Sequence, residues 1–499
     1  MRLPEALYYA EQTRQLDRVA IEGRGIGGYA LMQRAGQAAL MALRQRWPRA
    51  KRLAVVCGPG NNGGDGYVLA RLACDAGLIP VVMALGDRAR VRGDARTARD
   101  ALEKVGVKVE GFAPVRVQES DVIVDALFGT GLEREVRNEW RAAIETLNAL
   151  PQIPLLSIDI PSGLHADTGR VLDVAVRAQV TVTFIGLKTG LFTGEGPEYG
   201  GEVVFDDLQV PADIYSEVTP AAFRITERAL TGILAPRPRM WHKGDAGHVA
   251  VIGGAEGMPG AARLAGEAAY RAGAGLVTLV THQSHAAHIN SNCPELLVHA
   301  ASDARALRLA VRRANVLAIG PGLGQSSWGR EMLTAVLDIP LPKVVDADAL
   351  NLLAADPVKR SDWILTPHPG EAARLLDTTT NMVQAQRFEA LHRLTERFGG
   401  VVVLKGAGTL ISDGRDRVWL CDAGNPGMAT GGMGDVLTGI VAALSAQDLK
   451  AIDAARVGVW VHAIAGDDAV VKNGEIGLMA SDLMCFVRRR LNQLSTHEA

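Results

Sequence analysis

Residues 52–72 read RLAVVCGPGNNGGDGYVLARL, which is a short apolar run, a loop with five glycines and the start of a helical pattern. Further apolar runs follow at 80–85, 121–125, 154–158 and 180–185, with helical patterns between most of them. Runs that are nearly continuous in Val, Ile and Leu predict strands buried on both faces, as in a parallel sheet covered by helices. The pattern therefore predicts a doubly wound, Rossmann-like α/β domain of three layers.

A second α/β series begins at His248 with HVAVIGG and continues through the apolar runs LVTLV, VLAIG, KVVDA, WILTP and VVVLKG. The alternation lapses around 211–223, and two prolines follow at 236 and 238. We therefore predict two domains, residues 1–220 and residues 225–495, and the last third of the second one is expected to be largely helical. The two halves share no motifs, which favours two unrelated domains over a duplication.

The composition limits the classes of function. The chain has 499 residues, of which 48% are hydrophobic, and its 53 Lys and Arg nearly balance its 55 Asp and Glu. This balance gives no electrostatic basis for binding nucleic acid or an anionic membrane. No apolar run reaches the roughly 18 residues of a membrane helix, and the N-terminus lacks the apolar segment of a signal peptide. Because the five cysteines are odd in number and widely spaced, we expect a cytoplasmic protein without a disulfide scaffold.

The glycine-rich loop at 58–66, GPGNNGGDG, is the first motif that points to a ligand. Gly58, Gly60 and Gly63 match the dinucleotide fingerprint, but Pro59 and the amide and carboxylate side chains that follow do not suit a dehydrogenase loop. Glycines allow backbone N–H groups to close on an anion at a helix N-terminus, and amide oxygens can hold a cation beside it. A plain strand-to-helix turn would explain two glycines but not five.

Two aspartates end neighbouring strands of the first domain, where ligands bind in such sheets. Asp125 ends DVIVD, and Asp159 ends LLSID. Either one alone could cap the following helix. Together with the glycine-rich loop they predict a shared crevice, in which Asn62, Asp125 and Ser162 supply oxygen ligands only. Such a set suits a hard monovalent or divalent cation better than zinc.

The segments GPGNNGGDG, DALFGTGL (125–132) and DIPSGL (159–164) resemble the NAD(P)H-hydrate epimerase domain of bacterial bifunctional NAD(P)H-hydrate repair enzymes. The resemblance spans roughly residues 1–220 and implies potassium bound by Asn62, Asp125 and Ser162. Lys188 stands where the family has a lysine near the substrate, although a solvated surface lysine is the alternative; Lys188 and Asp159 are the candidate catalytic residues. The implied contacts with the hydrated nucleotide are Asn61, Asn62, Gly63, Gly64, Asp65, Gly129, Thr130, Gly131, Leu132, Glu133, Arg134, Glu135 and Asp159.

The second domain carries NPGMATGGMGD at 425–435, directly before a long apolar helix. Its glycines allow consecutive N–H groups to point inward at the helix N-terminus, whose positive end favours phosphate. Asp435 lies in the first turn, where its carboxylate could accept a proton from a substrate hydroxyl beside that phosphate. An N-capping aspartate is the plainer alternative. An anion hole with an adjacent base is the arrangement that phosphoryl transfer requires.

This second half resembles the ribokinase-like fold and its NAD(P)H-hydrate dehydratase branch over roughly residues 225–495, through GPGLG (320–324), DADAL (346–350), TPHPGE (366–371) and KGAGT (405–409). The resemblance implies ADP as co-substrate, and we expect Mg²⁺ as its partner ion. We assign Asp435 as the catalytic base, because it is the only carboxylate that the sequence places at the mouth of the glycine-rich loop. The implied ADP-binding residues are Lys405, Gly406, Ala407, Gly408, Thr409, Asn425, Pro426, Gly427, Met428, Ala429, Thr430, Gly431, Gly432, Met433 and Gly434. The implied contacts with the hydrated nucleotide are Gly324, His368, Pro369, Gly370, Glu371, Ala372, Ala373, Arg374 and Asp435.

Several of these residues have simpler explanations. His368, between two prolines, could be a turn histidine satisfied by the backbone. Asp346 and Asp348 are two apart on a segment that we predict to be extended, so they should point to opposite faces and not form a catalytic carboxylate pair. The histidines at 282, 285 and 288 have no local carboxylate or cysteine, which argues against a zinc site.

The leading hypothesis is an enzyme that repairs hydrated NADH and NADPH, with NADHX, NADPHX and ADP as its small-molecule partners. In this hypothesis the first domain interconverts the R and S epimers, and the second dehydrates the S form at the expense of ADP. An ATP-dependent kinase of a vitamin precursor is the alternative, because the anion hole and Asp435 would serve both. A third hypothesis makes the first domain a non-catalytic binding module, which Asn62, Asp125 and Asp159 argue against. We also expect a homo-oligomer.

Overall fold

The computed structural model describes residues 3–415 and 417–496. The chain forms two compact units, Met1–Phe223 and Arg224–Ala499. Within the described part of the chain, no helix combines the length and the apolar character needed to cross a membrane.

The first unit alternates strands and helices. Its strands are β1 (Ala6–Tyr8), β2 (Arg52–Cys57), β3 (Ile79–Ala84), β4 (Val109–Gly111), β5 (Val122–Ala126), β6 (Leu155–Ile158), β7 (Val180–Phe184), β8 (Leu187–Lys188), β9 (Glu202–Asp206) and β10 (Ala222–Arg224). Its helices are α1 (Ala10–Arg18), α2 (Gly28–Arg46), α3 (Asn61–Asp75), α4 (Gly93–Lys104), α5 (Pro114–Gln118), α6 (Asn138–Asn148) and α7 (Gly196–Gly200).

The main sheet of this unit has the order β4-β3-β2-β5-β6-β7-β9, and every neighbouring pair is parallel. Apolar clusters bury both of its faces, one beneath α2, α3 and α4 and the other beneath α6. The predicted doubly wound α/β fold is therefore confirmed. The strand order reverses between β2 and β5, so the loops after these two strands border the crevice where such sheets bind ligands.

The second unit is a larger α/β structure. Its strands are β11 (His248–Ile252), β12 (Leu276–Thr281), β13 (Leu297–Ala300), β14 (Val316–Ile319), β15 (Lys343–Val345), β16 (Trp363–Leu365), β17 (Val401–Leu404), β18 (Thr409–Ser412) and β19 (Trp419–Cys421). Its helices are α8 (Glu227–Leu230), α9 (Pro259–Arg271), α10 (Ala304–Ala310), α11 (Ser327–Leu337), α12 (Ala347–Ala355), α13 (Pro369–Leu375), α14 (Thr380–Ala385), α15 (Arg387–Phe398), α16 (Met433–Ala446), α17 (Ala451–Asn473) and α18 (Met484–Thr496).

These strands follow the order β13-β12-β11-β14-β15-β16-β17-β18-β19. They are parallel up to β17, and β18 and β19 continue the sheet in antiparallel fashion. The core beside them includes α16, most of whose residues are buried, which explains why its sequence is apolar all round. The residues that follow β15, β16 and β17 lie at one edge of the sheet, and this edge carries the second candidate site.

Candidate active sites

The glycine-rich loop of the first unit joins β2 to α3 and lies against the segment that follows β5. A Cβ atom on Gly58 would lie 1.9 Å from the carbonyl oxygen of Leu127, and one on Gly63 would lie 2.0 Å from that of Gly58. Neither position has room for a side chain, so both require glycine. The helix α3 begins at Asn61, inside the glycine-rich stretch and not after it. Residues 61–65 therefore form its first turn, where backbone N–H groups face a prospective anion.

Asp125 lies fully buried at the carboxyl end of β5. Its Oδ1 accepts hydrogen bonds from Ser162 Oγ at 2.6 Å and Leu127 N at 3.2 Å. Its Oδ2 accepts from Ser157 Oγ at 2.8 Å and Ser162 N at 2.9 Å. Burial raises the pKa of Asp125, and the hydrogen bonds from Ser162 and Ser157 oppose that rise. The side chain thus ties the turn after β6 to the end of β5.

Asn62, from α3, reaches the same place. Its Nδ2 donates to the Phe128 carbonyl at 2.9 Å, and Phe128 N donates to Ser162 Oγ at 2.8 Å. The structure therefore brings together Asn62, Asp125 and Ser162, the three residues predicted to hold a cation. The Asn62 side chain is buried, and its Oδ1 has no hydrogen-bond donor among the residues that the structure describes. A buried oxygen left in this state is suited to a cation.

Asp159, which is partly exposed, forms an ion pair with the buried Lys188. Lys188 Nζ donates to Asp159 Oδ1, to Thr183 Oγ1 at 3.1 Å and to the Phe184 carbonyl at 3.0 Å. The Lys188 side chain is 1% exposed, so the alternative of a solvated surface lysine is wrong. Asp159 adopts φ 66°, a left-handed conformation that is uncommon outside glycine. A Cβ on Gly129 would lie 3.5 Å from Asp159 Oδ2 and 3.4 Å from Asn62 Cβ, so this pair borders the glycine-rich loop.

Two further carboxyl groups, those of Asp65 and Asp17, interact with the charges of Asp159 and Lys188. Burial, reinforced by the charges of Asp159 and Asp17, raises the pKa of Asp65 well above its usual value. Burial also raises the pKa of Asp17 to about 6, against the opposing charge of Lys188. The site therefore combines an ion-paired carboxylate with two carboxyl groups whose pKa values are raised by burial. A carboxyl group with a raised pKa is suited to donate a proton in acid–base chemistry.

Only the first part of the segment 129–135 lies at the site. Gly129 lies beside Asn62 and Asp159, and the Leu132 side chain is buried in the apolar cluster next to α6. Glu133, Arg134 and Glu135 are exposed, and Glu135 pairs with Arg137 at 2.7 Å. The structure thus brings the first part of this segment to the ion pair but leaves its charged part in solvent.

In the second unit, Lys405 is the centre of a charged cluster. Its Nζ donates to Asp346 Oδ1 at 2.8 Å, and Thr438 Oγ1 donates to Asp346 Oδ2 at 2.7 Å. Burial by itself would lower the pKa of Lys405, but the neighbouring carboxylates of Asp346 and Glu371 raise it overall. A Cβ on Gly434 would lie 3.3 Å from Lys405 Nζ. The cluster therefore lies directly against the predicted anion hole.

The prediction of an extended segment for Asp346 and Asp348 is wrong. The helix α12 begins at Ala347, so Asp346 is its N-cap residue and Asp348 lies in its first turn. Asp346 is 1% exposed and faces Lys405, while Asp348 Oδ2 accepts a hydrogen bond from Gly324 N at 2.9 Å. A helix start after β15 turns both carboxylates toward the carboxyl edge of the sheet, which a strand would not do.

His368 caps the short helix α13. Its Nδ1 accepts from Gly370 N at 2.9 Å, and the Glu371 carboxylate accepts from His368 N at 2.8 Å, which completes a capping box. The backbone therefore satisfies one ring nitrogen, as the simpler explanation predicted, while half of the side chain stays exposed. Burial lowers the pKa of His368 and raises that of Glu371 to about 7.

Asp435 lies in the first turn of α16, beside the Lys405 cluster. Burial and then the charge of Asp346 raise the pKa of Asp435 to about 7, although Lys405 opposes the shift. A carboxylate with this pKa can take up a proton at neutral pH and release it again. The plain capping alternative does not apply, because Gly432 in the left-handed conformation is the N-cap residue and Asp435 lies three positions further on.

The loop before α16 is held from two sides. Asp467 of α17 accepts from Gly424 N at 3.0 Å and from Asn425 Nδ2 at 2.8 Å. Thr430 Oγ1 bonds to the Gly427 and Leu478 carbonyls. The loop is therefore preorganised, with its glycines at the positive end of a buried helix.

The predicted residues that stand apart from these clusters serve packing instead. The side chains of Ala372, Ala373 and Met433 are buried in the core, so they position helices. Arg374 donates to Asn351 Oδ1 at 2.8 Å. Sequence reasoning missed Asp17, Thr438 and Asp467 as members of the sites. Each sits inside an ordinary helical pattern, and the sequence carries no signal that marks them.

Two family models match separate parts of the chain. The family model described as NAD(P)H-hydrate dehydratase matches residues 249–489, and the model of the YjeF-related protein N-terminus matches residues 28–190. Among solved structures, a ribokinase-like superfamily protein of Enterococcus faecalis is similar, with a TM-score of 0.51 and 28% identity. That similarity covers 55% of this chain and 96% of the Enterococcus chain.

Full-length relatives resemble nearly the whole chain. The bifunctional NAD(P)H-hydrate repair enzyme of Coxiella burnetii is 47% identical over 486 residues, which cover 97% of this chain and 99% of that protein. The Escherichia coli enzyme of the same name is 42% identical and covers 98% of this chain and 95% of its own. The chain described here therefore belongs to the family of bifunctional NAD(P)H-hydrate repair enzymes.

Proposed function

We propose that the first unit interconverts the R and S epimers of hydrated NADH and NADPH and that the second dehydrates the S epimer at the expense of ADP. The observation that carries this proposal is Asp435, a carboxylate with a pKa near 7 at the start of a buried helix that follows a glycine-rich loop. The alternative of a vitamin-precursor kinase is disfavoured, because residues 249–489 match the dehydratase model.

Epimerisation requires the hydroxyl group of the hydrate to leave one face of the ring and water to return on the other. The first unit has groups for both steps. Asp159, held by Lys188, can act as the base, and Asp65, whose pKa is raised by burial, can act as the acid. Residues 61–64 at the start of α3 are the proposed contacts for the phosphates of the nucleotide.

Potassium is the proposed ion at Asn62, Asp125 and Ser162. The buried Asn62 Oδ1 is the atom that best supports it, because a cation would satisfy an oxygen that has no donor among the described residues. The remaining donors are hydroxyl, carboxylate and carbonyl oxygens, which suit a hard cation. Bound there, the ion would tie α3 to the turn after β6. Epimerisation that runs equally fast in sodium-only and potassium-containing buffers would contradict this assignment.

Dehydration by the second unit needs a better leaving group than hydroxide. In the proposed reaction the hydrate oxygen attacks the β-phosphorus of ADP, AMP departs, and the proton of the hydroxyl passes to Asp435. The C–O bond then breaks, phosphate leaves, a proton is lost from the adjacent carbon, and NAD(P)H results. Backbone N–H groups of 427–434 would hold the developing charge, and Lys405 lies within reach of the same phosphate.

Mg²⁺ is the proposed companion of ADP. The donor set fits, because the carboxylates of Asp346, Glu371 and Asp435 lie around a single lysine and supply oxygen ligands of the kind that Mg²⁺ prefers. Within the described residues, no three His, Cys, Asp or Glu side chains form a ready-made metal site. That is compatible with Mg²⁺, which binds through one or two carboxylates, water and substrate phosphates.

The test is direct. The full chain is incubated with a mixture of R- and S-NADHX, with ADP, ATP or no nucleotide, and the absorbance of reduced nicotinamide is followed. We expect complete return of absorbance with ADP, because the epimerase supplies the S form as it is consumed. Return of only half the absorbance would exclude epimerisation, and no nucleotide-dependent return would exclude the dehydratase. The cytoplasmic location and the homo-oligomer stay predictions; sedimentation of the purified chain tests the second.

A further inference from the structure

Arg387 is a buried arginine that the proposed reaction does not yet use. It is the first residue of α15, and it is 2% exposed. Burial lowers its pKa to about 10, so the guanidinium remains charged at neutral pH. A buried cation at this place is unusual, because the N-terminus of a helix favours negative charge.

The guanidinium group lies directly behind the segment 405–409. Its Nη2 donates to the carbonyl oxygens of Leu404 at 3.2 Å, Lys405 at 3.2 Å and Gly408 at 3.1 Å. Its Nη1 donates to Gln384 Oε1 at 2.7 Å, which fixes the orientation of the planar group. A Cβ on Gly406 would lie 2.9 Å from Nη1, so the loop wraps closely around the guanidinium.

These contacts fix the direction of the peptide groups. In a trans peptide the C=O of one residue and the N–H of the next point in opposite directions. Because the Lys405 carbonyl faces Arg387, the Gly406 N–H faces away from it. The Lys405 side chain, which leads to Asp346 and Gly434, is anchored at the same point. Arg387 thus orients both the backbone and the lysine of the segment.

Local stability does not explain this arrangement, since a charge is buried at the unfavourable end of a helix. Residues that break local rules in this way usually serve a site. We propose that Arg387 is a positioning residue that sets the affinity of the second unit for a nucleoside diphosphate by holding residues 405–409 in their phosphate-binding conformation. The inference rests on the proposed ADP dependence of this unit.

Arg387→Lys and Arg387→Met in the full chain test the proposal. Lysine keeps the charge but cannot span three carbonyls and Gln384 with one ammonium group. We expect the KM and the Kd for ADP, the latter from calorimetry, to rise roughly 10–100-fold in Arg387→Met and less in Arg387→Lys, as for lost charge-assisted hydrogen bonds. Once ADP is saturating, kcat should stay within about threefold of wild type, because the bound ADP itself then holds Lys405 and residues 406–409 in place and neither variant changes Asp435.

Arg393→Met is the matched control, since Arg393 is exposed on the same helix and its Nη2 bonds to the Leu376 carbonyl at 3.4 Å. It should leave both constants unchanged. Lower kcat with an unchanged KM for ADP in either Arg387 variant would indicate a merely structural role and overturn the proposal. If Arg387→Met fails to fold, Arg387→Lys decides in the same way. A wild-type chain that binds ADP but does not dehydrate NADHX would refute the proposed function instead. The Kd for ADP of the wild type and of the Arg387 variants would then still test the role of Arg387.

Discussion

Asp435→Asn is the substitution that most directly examines the chemistry of the second unit. The change keeps the size and the hydrogen-bonding capacity of the side chain but removes its basicity. Burial and the charge of Asp346 hold the pKa of Asp435 at about 7. The group is therefore half ionised at pH 7, and about a tenth of it is ionised at pH 6.

This titration sets the expected magnitude. The wild-type kcat/KM for S-NADHX should fall about tenfold for each unit of pH below 7 and level off above 8, because only the ionised carboxylate accepts the hydroxyl proton. Asp435→Asn should lose this acidic limb and run roughly 10²–10⁴-fold slower at its plateau, the usual effect of a missing general base. Glu371 also has a pKa of about 7 and could cause the same fall in kcat/KM at low pH. If Asp435 causes it, the Glu371→Gln enzyme must still show this fall.

The assay follows reduced nicotinamide from pure S-NADHX with saturating ADP between pH 5.5 and 8.5, a range of about three units centred on the expected pKa. Asp338→Asn serves as the control, because this carboxylate is 63% exposed and forms a surface ion pair with Arg308 at 3.1 Å. It should match the wild type at every pH. An Asp435→Asn enzyme with a near-wild-type rate, or with the acidic limb intact, would falsify the assignment of the base.

Three further predictions concern the first unit. Asp159→Asn removes the carboxylate that Lys188 holds, so epimerisation should slow about tenfold or more while dehydration of pure S-hydrate is retained; equal loss of both activities would contradict independent sites. Asn62→Ala removes the Oδ1 that accepts no hydrogen bond from the described residues, so a potassium titration against sodium should no longer raise the epimerisation rate, and an unchanged response would exclude this amide as a ligand. Gly58→Ala would place a Cβ 1.9 Å from a carbonyl oxygen and should lower the melting temperature with loss of epimerisation. Gly60→Ala, where a Cβ meets no atom within 4 Å, should melt like the wild type, and equal melting of the two variants would refute the steric argument.

The sequence alone was sufficient for the fold class of both units. Apolar runs of four to six residues between helical patterns predicted buried parallel strands, and the sheets of both units have them. The strand ends at Asp125 and Asp159 could be located from the sequence, since parallel strands in one sheet present their carboxyl ends at one edge. The glycine-rich segments could also be identified as candidate ligand-binding loops from the sequence. Where the backbone approaches another segment closely, glycine is the residue that fits.

Only the tertiary structure decided the chemical state of the side chains. Whether Lys188 was a surface lysine depended on its burial beside Asp159, and the true start of α12 depended on packing that turned Asp346 toward Lys405. Asp17 and Arg387 come from helices with ordinary patterns, and they reach their sites through contacts distant in the chain. A pKa depends on desolvation and on charges nearby in space. Sequence order specifies neither, so the motifs located the sites while the fold determined which groups hold protons there.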